Sequence, residues 1–544
     1  MTDETREFDA IVVGAGIGGI YALHKLRNEL GLTVRVFDRS GGIGGTWYWN
    51  RYPGAKSDSE GIVYRYSFDK ETLAEPIGDN RYIKQADMLA YLESVVDKFD
   101  LHRDIQLNTS IDAMAFDESS NVWTLTTDSG ETFTARHVVT ALGPLSTTHF
   151  PDIKGRDSFR GRLIHTGAWP ADLKIEGKRV GVIGTGSTGT QFICAASKMA
   201  DHLTVFQRTA QYVVPNGDAP LTEEFKAEYR ANHKQIWDEV WTSYVGCGFK
   251  ESEIPAMSVS AEERQRIFQK MWDKGNAFRF MVETFSDIAL DEDANEAAAE
   301  FIRSKVREIV KDPETARKLM PTGYYARRPI SNEDYYETFN RDNVNLVSLK
   351  ETPIKEITPS GVLTEDGVEH ELDVLVFATG FDAFDGTYRR MDIRGRGGEK
   401  IQEHWSDGGS SYLGMACNGF PNMFMVFGPC TVYSNLPPGI ETQVDWFTEL
   451  IKTGLDRGKP LIEATESAEK EWTATCDEVA NQSLFSKVDS FINGANIPGK
   501  KKRLMFYVAG LAAYRHKLAE VLEADYDGFV FQEGSLPTQS RTVP

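Results

Sequence analysis

Two glycine-rich turns carry the clearest chemistry in this sequence: GAGIGG at Gly14–Gly19 and GTGSTG at Gly184–Gly189. Each follows an apolar run of β character and opens a stretch of helical spacing, so backbone N–H groups and the positive end of a helix converge on one spot. That arrangement binds phosphate. Gly14, Gly16 and Gly19, and likewise Gly184, Gly186 and Gly189, serve the tight turn, the close approach of a pyrophosphate and close helix packing. The residue ending the next strand differs between the units. Asp38 stands 24 residues past Gly14, where a carboxylate accepts from ribose hydroxyls; Arg208, followed by Thr209, stands 24 residues past Gly184, where a guanidinium pairs with a 2'-phosphate. The first unit therefore suits FAD and the second NADPH.

The elements that hold these turns follow from periodicity. Phe8–Val13, a helix over Ile17–Leu30 and Leu32–Phe37 make one β-turn-α-β unit, and Lys178 to Arg208 repeats it. Helical spacing covers Tyr82–Leu101, and Ile105–Leu142 alternates as short strands. HVVTALG (His137–Gly143) and ATGFD (Ala378–Asp382) read as strands ending in small-residue crossings between units. From Thr222 to Pro321 the texture is charged and amphipathic, with a capping box at Ser260 and Glu263 and an apolar stripe at Phe301, Ile302, Val306, Ile309 and Val310. Trp237, Trp241, Phe278 and Phe280 there read first as helix core. The predicted architecture is α/β, with two Rossmann-like dinucleotide-binding domains and a helical insertion. Residues 1–144 and 385–544 form the FAD-binding domain, 152–215 and 331–380 the NADPH-binding domain, and 220–330 the insertion.

Composition narrows the partners. A formal charge of −21 over 544 residues argues against nucleic acid or an anionic membrane as partner. The five cysteines are scattered, with no CxxC spacing for zinc or dithiol chemistry, so no metal site is expected. The N-terminus is polar and acidic, and no apolar run approaches membrane-spanning length. These features predict a cytoplasmic protein, a monomer or weak oligomer.

Between the two units lies FRGRLIHTGAWP, with Phe159, Gly161, His165, Trp169 and Pro170, and after Asp38 comes a loop with Gly44, Gly45, Trp47, Tyr52, Pro53, Gly54 and Asp58. Both patterns resemble signatures of the type I Baeyer-Villiger monooxygenases, most closely the cyclohexanone monooxygenases, and the resemblance covers nearly the whole chain. It implies an enzyme that uses NADPH and O2 to convert a ketone, most simply a cyclic one, to a lactone or ester through a flavin peroxide. It assigns Gly45, Thr46, Trp47 and Asp58 to the flavin side, Arg328 to the reaction centre with Asp58 holding it, and Arg327 to the NADPH phosphate. Without the resemblance, Arg327-Arg328-Pro329 reads as a solvated turn. Phe491 falls in a loop over the nicotinamide, where relatives often carry tryptophan, and phenylalanine lacks that N–H donor. Leu145, Cys247, Phe278, Tyr433, Leu436 and Phe506 are assigned to the substrate pocket. Cys247, Phe491 and Tyr433 depart from the bulkier or less polar residues of relatives, which enlarges or re-polarises the cavity. The linker residues are read as hinge and packing elements, with His165 not a proton carrier. Alternatives are a flavin N- or S-oxygenating monooxygenase, or a Baeyer-Villiger enzyme for linear, large-ring or steroid ketones.

Overall fold

The computed structural model describes residues 6–534, so the acidic residues 1–5 of the N-terminus lie outside it. Two sheets carry the two phosphate turns. In the first, Arg6–Val13 lies between Val34–Phe37 and Thr132–Thr140, parallel to both, and the antiparallel strands Ile111–Asp117 and Val122–Thr127 extend it. Late chain returns here: Met423–Met425 pairs with Thr132–Thr140 and Asp392–Arg394 with Ile111–Asp117. The second sheet is wholly parallel, in the order Val344–Ser348, His202–Gln207, Arg179–Ile183, Val374–Phe377, Arg162–His165. Its central strands are buried on both faces, which explains their continuous apolar runs.

Two local expectations need correction. The helix predicted over Ile17–Leu30 is α-helical only over Ile17–Leu23, then widens to a π-turn at His24–Glu29, with Leu30 N donating to Lys25 O at 3.2 Å. His24 stacks on Phe68 at 4.6 Å between ring centres, a tertiary contact that residue spacing cannot register. The following strand begins at Val34 rather than Leu32. Likewise the stretch Tyr82–Leu101 starts as a strand, Tyr82–Lys84, before the helix Gln85–Lys98, because the fully buried Tyr82 pairs back onto Lys56–Glu60.

Between His202–Gln207 and Val344–Ser348 of the second sheet, helices Glu223–Thr242, Ala261–Lys274, Ala277–Val282, Glu292–Ile309 and Pro313–Leu319 are built out. Side-chain caps at Thr222, Ser260, Asn276, Asp291 and Asp312 satisfy their first N–H groups. Phe301, Ile302, Val306 and Val310 face one core shared with Val180, Val205 and Phe192 of the second sheet unit. The helical segment is clipped at its base, where Val213–Val214 and Ile330–Ser331 pair in parallel. That clip fixes Arg327 and Arg328, just before Ile330, at the rim between insertion and sheet.

Burial also sets a pH limit. His137, in Thr132–Thr140, is fully buried with both ring nitrogens unpartnered among the described residues, and desolvation followed by the Arg136 charge holds its pKa down to about 3. His165, 2% exposed, is pushed down to about 4, chiefly by burial. Below the ordinary histidine value near 6.5 the unfolded chain takes up protons that the fold refuses, so stability falls as pH drops from about 6.5 toward 4. At pH 5 each imidazole costs about 2 kcal/mol. The melting temperature should therefore fall between pH 7.5 and pH 5, and His137→Leu should fall less over that interval; equal falls would contradict this cause.

Candidate active site

A cavity of about 940 Å³ opens where the two sheets and the insertion meet. Thr46, Trp47 and Asp58 of the first lobe reach it, with Gly184, Gly186, Arg208 and Thr209 of the second fingerprint. Arg327, Arg328 and Phe491 line it as well, and so do Leu145, Cys247, Phe278, Tyr433, Leu436 and Phe506. Gly14, Gly16, Gly19, Asp38, Gly45 and Gly189 do not.

At its centre Arg328 Nη1 donates to Asp58 Oδ2 at 2.6 Å and to Ser187 Oγ at 3.2 Å, with the guanidinium 5.5 Å from the Phe278 ring centre. Burial works against that charge, but Asp58 and the Tyr433 and Tyr64 hydroxyls more than offset it, so the Arg328 pKa lies above the ordinary arginine value. Only Nη1 is engaged among the described residues, which leaves Nε and Nη2 as donors toward the cavity. The arrangement is a fixed cation able to stabilise an oxyanion.

The fingerprints fit dinucleotides. Gly14 and Gly184 hold φ of +109° and +110°, and a Cβ on Gly19 or Gly189 would stand 1.7 or 2.3 Å from the carbonyl oxygen of Gly14 or Gly184. Side chains are thus barred from both turns, while Gly186 faces open space into which a pyrophosphate fits. Asp38 already ties the first turn together, accepting from Ala15 N at 2.6 Å on Oδ2 and from Ser40 N at 2.8 Å and Ser40 Oγ at 2.6 Å on Oδ1, which leaves capacity on Oδ2 for a ribose hydroxyl. Arg208 is exposed and makes no hydrogen bond or ion pair among the described residues. Burial, with the like charge of Arg208 nearby, lowers the Arg327 pKa despite Asp489. Arg208, without an ion pair among the described residues, and Arg327, only partly offset by the Asp489 carboxylate, both line the cavity and suit a phosphate.

The linker signature is structural in its contacts. His165 Nδ1 accepts from Gly167 N at 3.0 Å, so Nε2 carries the proton and donates to Gly380 O at 3.1 Å, tying the linker to ATGFD. Trp169 N donates to Trp49 O at 3.4 Å and its ring packs on Phe192 at 5.4 Å. A Cβ on Gly161 would lie 2.4 Å from Asp373 O and meet the Phe159 ring. Pro170 follows Trp169 and its carbonyl accepts from Leu173 N at 3.3 Å.

Sequence reasoning missed two participants, Ser187 and Gln191, and named Tyr52 only as part of the loop pattern. Gln191 Nε2 reaches Asp58 Oδ1 at 3.2 Å and Gln191 Oε1 accepts from Tyr52 Oη at 2.8 Å. The only available signal was their spacing, since Ser187 and Gln191 are four residues apart on a helix. All five cysteines are free and buried, and two that look unrelated in sequence meet, with Cys476 Sγ 3.8 Å from Cys430 O. His404, Cys417 and Glu469 also cluster within 4.8 Å, but the Glu469 carboxylate already accepts from His404, Ser410 and Asn418.

Comparison with known proteins agrees with this geometry. Residues 8–237 match the family model described as pyridine nucleotide-disulphide oxidoreductase, a nucleotide-binding fold that here lacks the paired cysteines of a dithiol centre. The chain is 61% identical to a phenazine N-monooxygenase of Lysobacter antibioticus, covering 97% of this chain and 98% of that protein. It is 51% identical to a Baeyer-Villiger monooxygenase of Pseudooceanicola batsensis, over the same shares. Its fold matches a crystal structure of cyclohexanone monooxygenase from Rhodococcus sp. Phi1 bound to NADP+ with a TM-score of 0.96 and 55% identity, covering 98% of this chain and all of that one. Matched over 97–98% of its length to relatives that are themselves covered to 98% or more, the chain belongs to the FAD- and NADPH-dependent Baeyer-Villiger monooxygenase family.

Proposed function

We propose that this enzyme inserts one oxygen atom of O2 beside the carbonyl of a cyclic ketone, giving a lactone. The observation that carries this reading is Arg328, fixed by Asp58 at a cavity that touches both lobes. Bound FAD would supply the oxygen-activating chemistry and NADPH the hydride. Gly14, Gly16, Gly19 and Asp38, with Gly45, Thr46 and Trp47, would hold the first; Gly184, Gly186, Gly189, Arg208, Thr209, Arg327 and Phe491 the second. Attack on a ketone carbon leaves negative charge on the carbonyl oxygen, and the free N–H groups of Arg328 lie at the cavity to receive it. Asp58 keeps the fork oriented. Leu145, Phe278, Leu436 and Phe506 would give the ketone an apolar wall, and the small Cys247 would leave room. No helix among the described residues is long and apolar enough to cross a membrane.

A second reading, oxygenation of an aromatic ring nitrogen, is favoured by the 61% identical phenazine N-monooxygenase. A ring nitrogen develops no carbonyl oxyanion, so that reaction depends less on Arg328. Purified enzyme given NADPH, air and either cyclohexanone or phenazine separates the two. Lactone formed in step with NADPH supports the first, N-oxide without lactone the second, and neither product contradicts both.

Tyr433 bears on which substrates fit. Its hydroxyl is buried with no partner among the described residues, and desolvation raises its pKa to about 12. An unsatisfied buried hydroxyl costs about 1–3 kcal/mol. Tyr433→Phe should leave thermal stability unchanged or higher, with KM for an unfunctionalised cyclic ketone equal or lower. A KM rise of tenfold or more would show instead that the hydroxyl bonds that ketone.

A further inference from the structure

Helix Ser187–Ala196 begins in the second phosphate turn, yet its first full turn faces the reaction pair. Ser187 and Gln191, four residues apart, share a helix face. Ser187 Oγ takes a hydrogen bond from Arg328 at 3.2 Å, and Gln191 donates to Asp58 at 3.2 Å and to Lys56 O at 3.0 Å. The Gln191 amide has one satisfactory orientation. Its oxygen accepts from Tyr52 Oη at 2.8 Å and lies 3.5 Å from Lys56 N, whereas the flipped amide would set oxygen against Lys56 O and the Asp58 carboxylate. Gln191 is 4% exposed and its bond to Tyr52 is fully buried. The first lobe is pressed onto this helix: Gly54 has φ of +86°, and a Cβ there would stand 2.7 Å from Gln191 O.

One helix therefore grips both members of the pair, Asp58 through Gln191 and Arg328 through Ser187, while its N-terminus begins in the turn that would hold the nucleotide's phosphates. We propose that Gln191 and Ser187 are positioning residues that couple nucleotide binding at Gly184–Gly189 to the orientation of Asp58 and Arg328. The coupling is reciprocal, so loosening the pair must weaken nucleotide binding by the same factor. An enzyme that activates O2 benefits, because its cation is aligned when the nucleotide is docked. The inference rests on reading the second fingerprint as the NADPH site and Asp58–Arg328 as the reaction pair.

The test is a double-mutant cycle on NADP+ affinity, measured by titration calorimetry with the FAD-loaded enzyme, for wild type, Gln191→Met, Asp58→Ala and the double variant. Gln191→Met should weaken NADP+ about tenfold when Asp58 is present, and less than twofold when it is already alanine. Equal weakening in both backgrounds would mean that the substitution merely damages the helix, and no weakening in either would also overturn the proposal. Wild type that fails to bind NADP+ would instead overturn the nucleotide reading. Should Gln191→Met not fold, Tyr52→Phe, which removes the hydroxyl that fixes the amide, goes through the same cycle. It should show a smaller loss, about threefold, again confined to the Asp58 background.

Discussion

Arg328→Ala should still oxidise NADPH in air but form ketone oxygenation product about 10²- to 10³-fold more slowly, with the consumed O2 appearing as hydrogen peroxide. The expectation comes from geometry. Nη1 is held by Asp58 at 2.6 Å and Ser187 at 3.2 Å, and this leaves the remaining N–H groups as preorganised donors at the cavity. A preorganised donor stabilises a developing oxyanion without reorganising at the moment of reaction, so its loss falls on turnover more than on KM. Arg328→Ala also leaves the nearly buried Asp58 carboxylate without its cation, so a melting-temperature control is required. Arg328→Lys keeps the charge but loses the fork. It should retain more oxygenation than alanine and less than wild type. Product formation at the wild-type rate in Arg328→Ala would remove the residue from the reaction.

Arg208→Ala should reduce the preference for NADPH over NADH by about ten- to a hundredfold, through a higher KM for NADPH with NADH little changed. Arg208 ends the strand that follows the second phosphate turn and has no ion pair among the described residues, so its guanidinium is available to a ligand. Arg327 lies close enough for the two like charges to oppose each other, and a 2'-phosphate bound beside them would relieve that repulsion. Arg327 differs in being tethered, its Nε donating to Asp489 O at 3.0 Å. The smaller loss is therefore expected for Arg327→Ala. Steady-state kinetics with both nucleotides decides the point, and an unchanged preference in Arg208→Ala would refute its assignment.

What could be read from the sequence follows the range of the forces involved. The two phosphate turns are legible because their demand is local: a glycine backbone at φ near +110° and helix packing with no room for a Cβ leave a fixed spacing of glycines. Asp38 and Arg208 are legible because each directly follows the strand after its turn, at the same offset of 24 residues from the first glycine. Asp58 and Arg328 are 270 residues apart, and no periodicity links them; family resemblance alone paired them. Ser187 was hidden because the fingerprint that contains it already had an explanation, and Gln191, two residues past that fingerprint, reads as an ordinary helix residue. Tyr82 and the π-turn at His24 were misread where tertiary contacts, the pairing with Lys56–Glu60 and the stack on Phe68, override local preference.

The most direct test of the account is to supply ¹⁸O2 in ordinary water to the enzyme with NADPH and cyclohexanone, and to weigh the product. Insertion of one oxygen atom from O2 predicts a lactone heavier by a single ¹⁸O, formed in step with NADPH. An unlabelled lactone, or NADPH oxidation matched entirely by labelled hydrogen peroxide, would contradict the proposed ketone oxygenation.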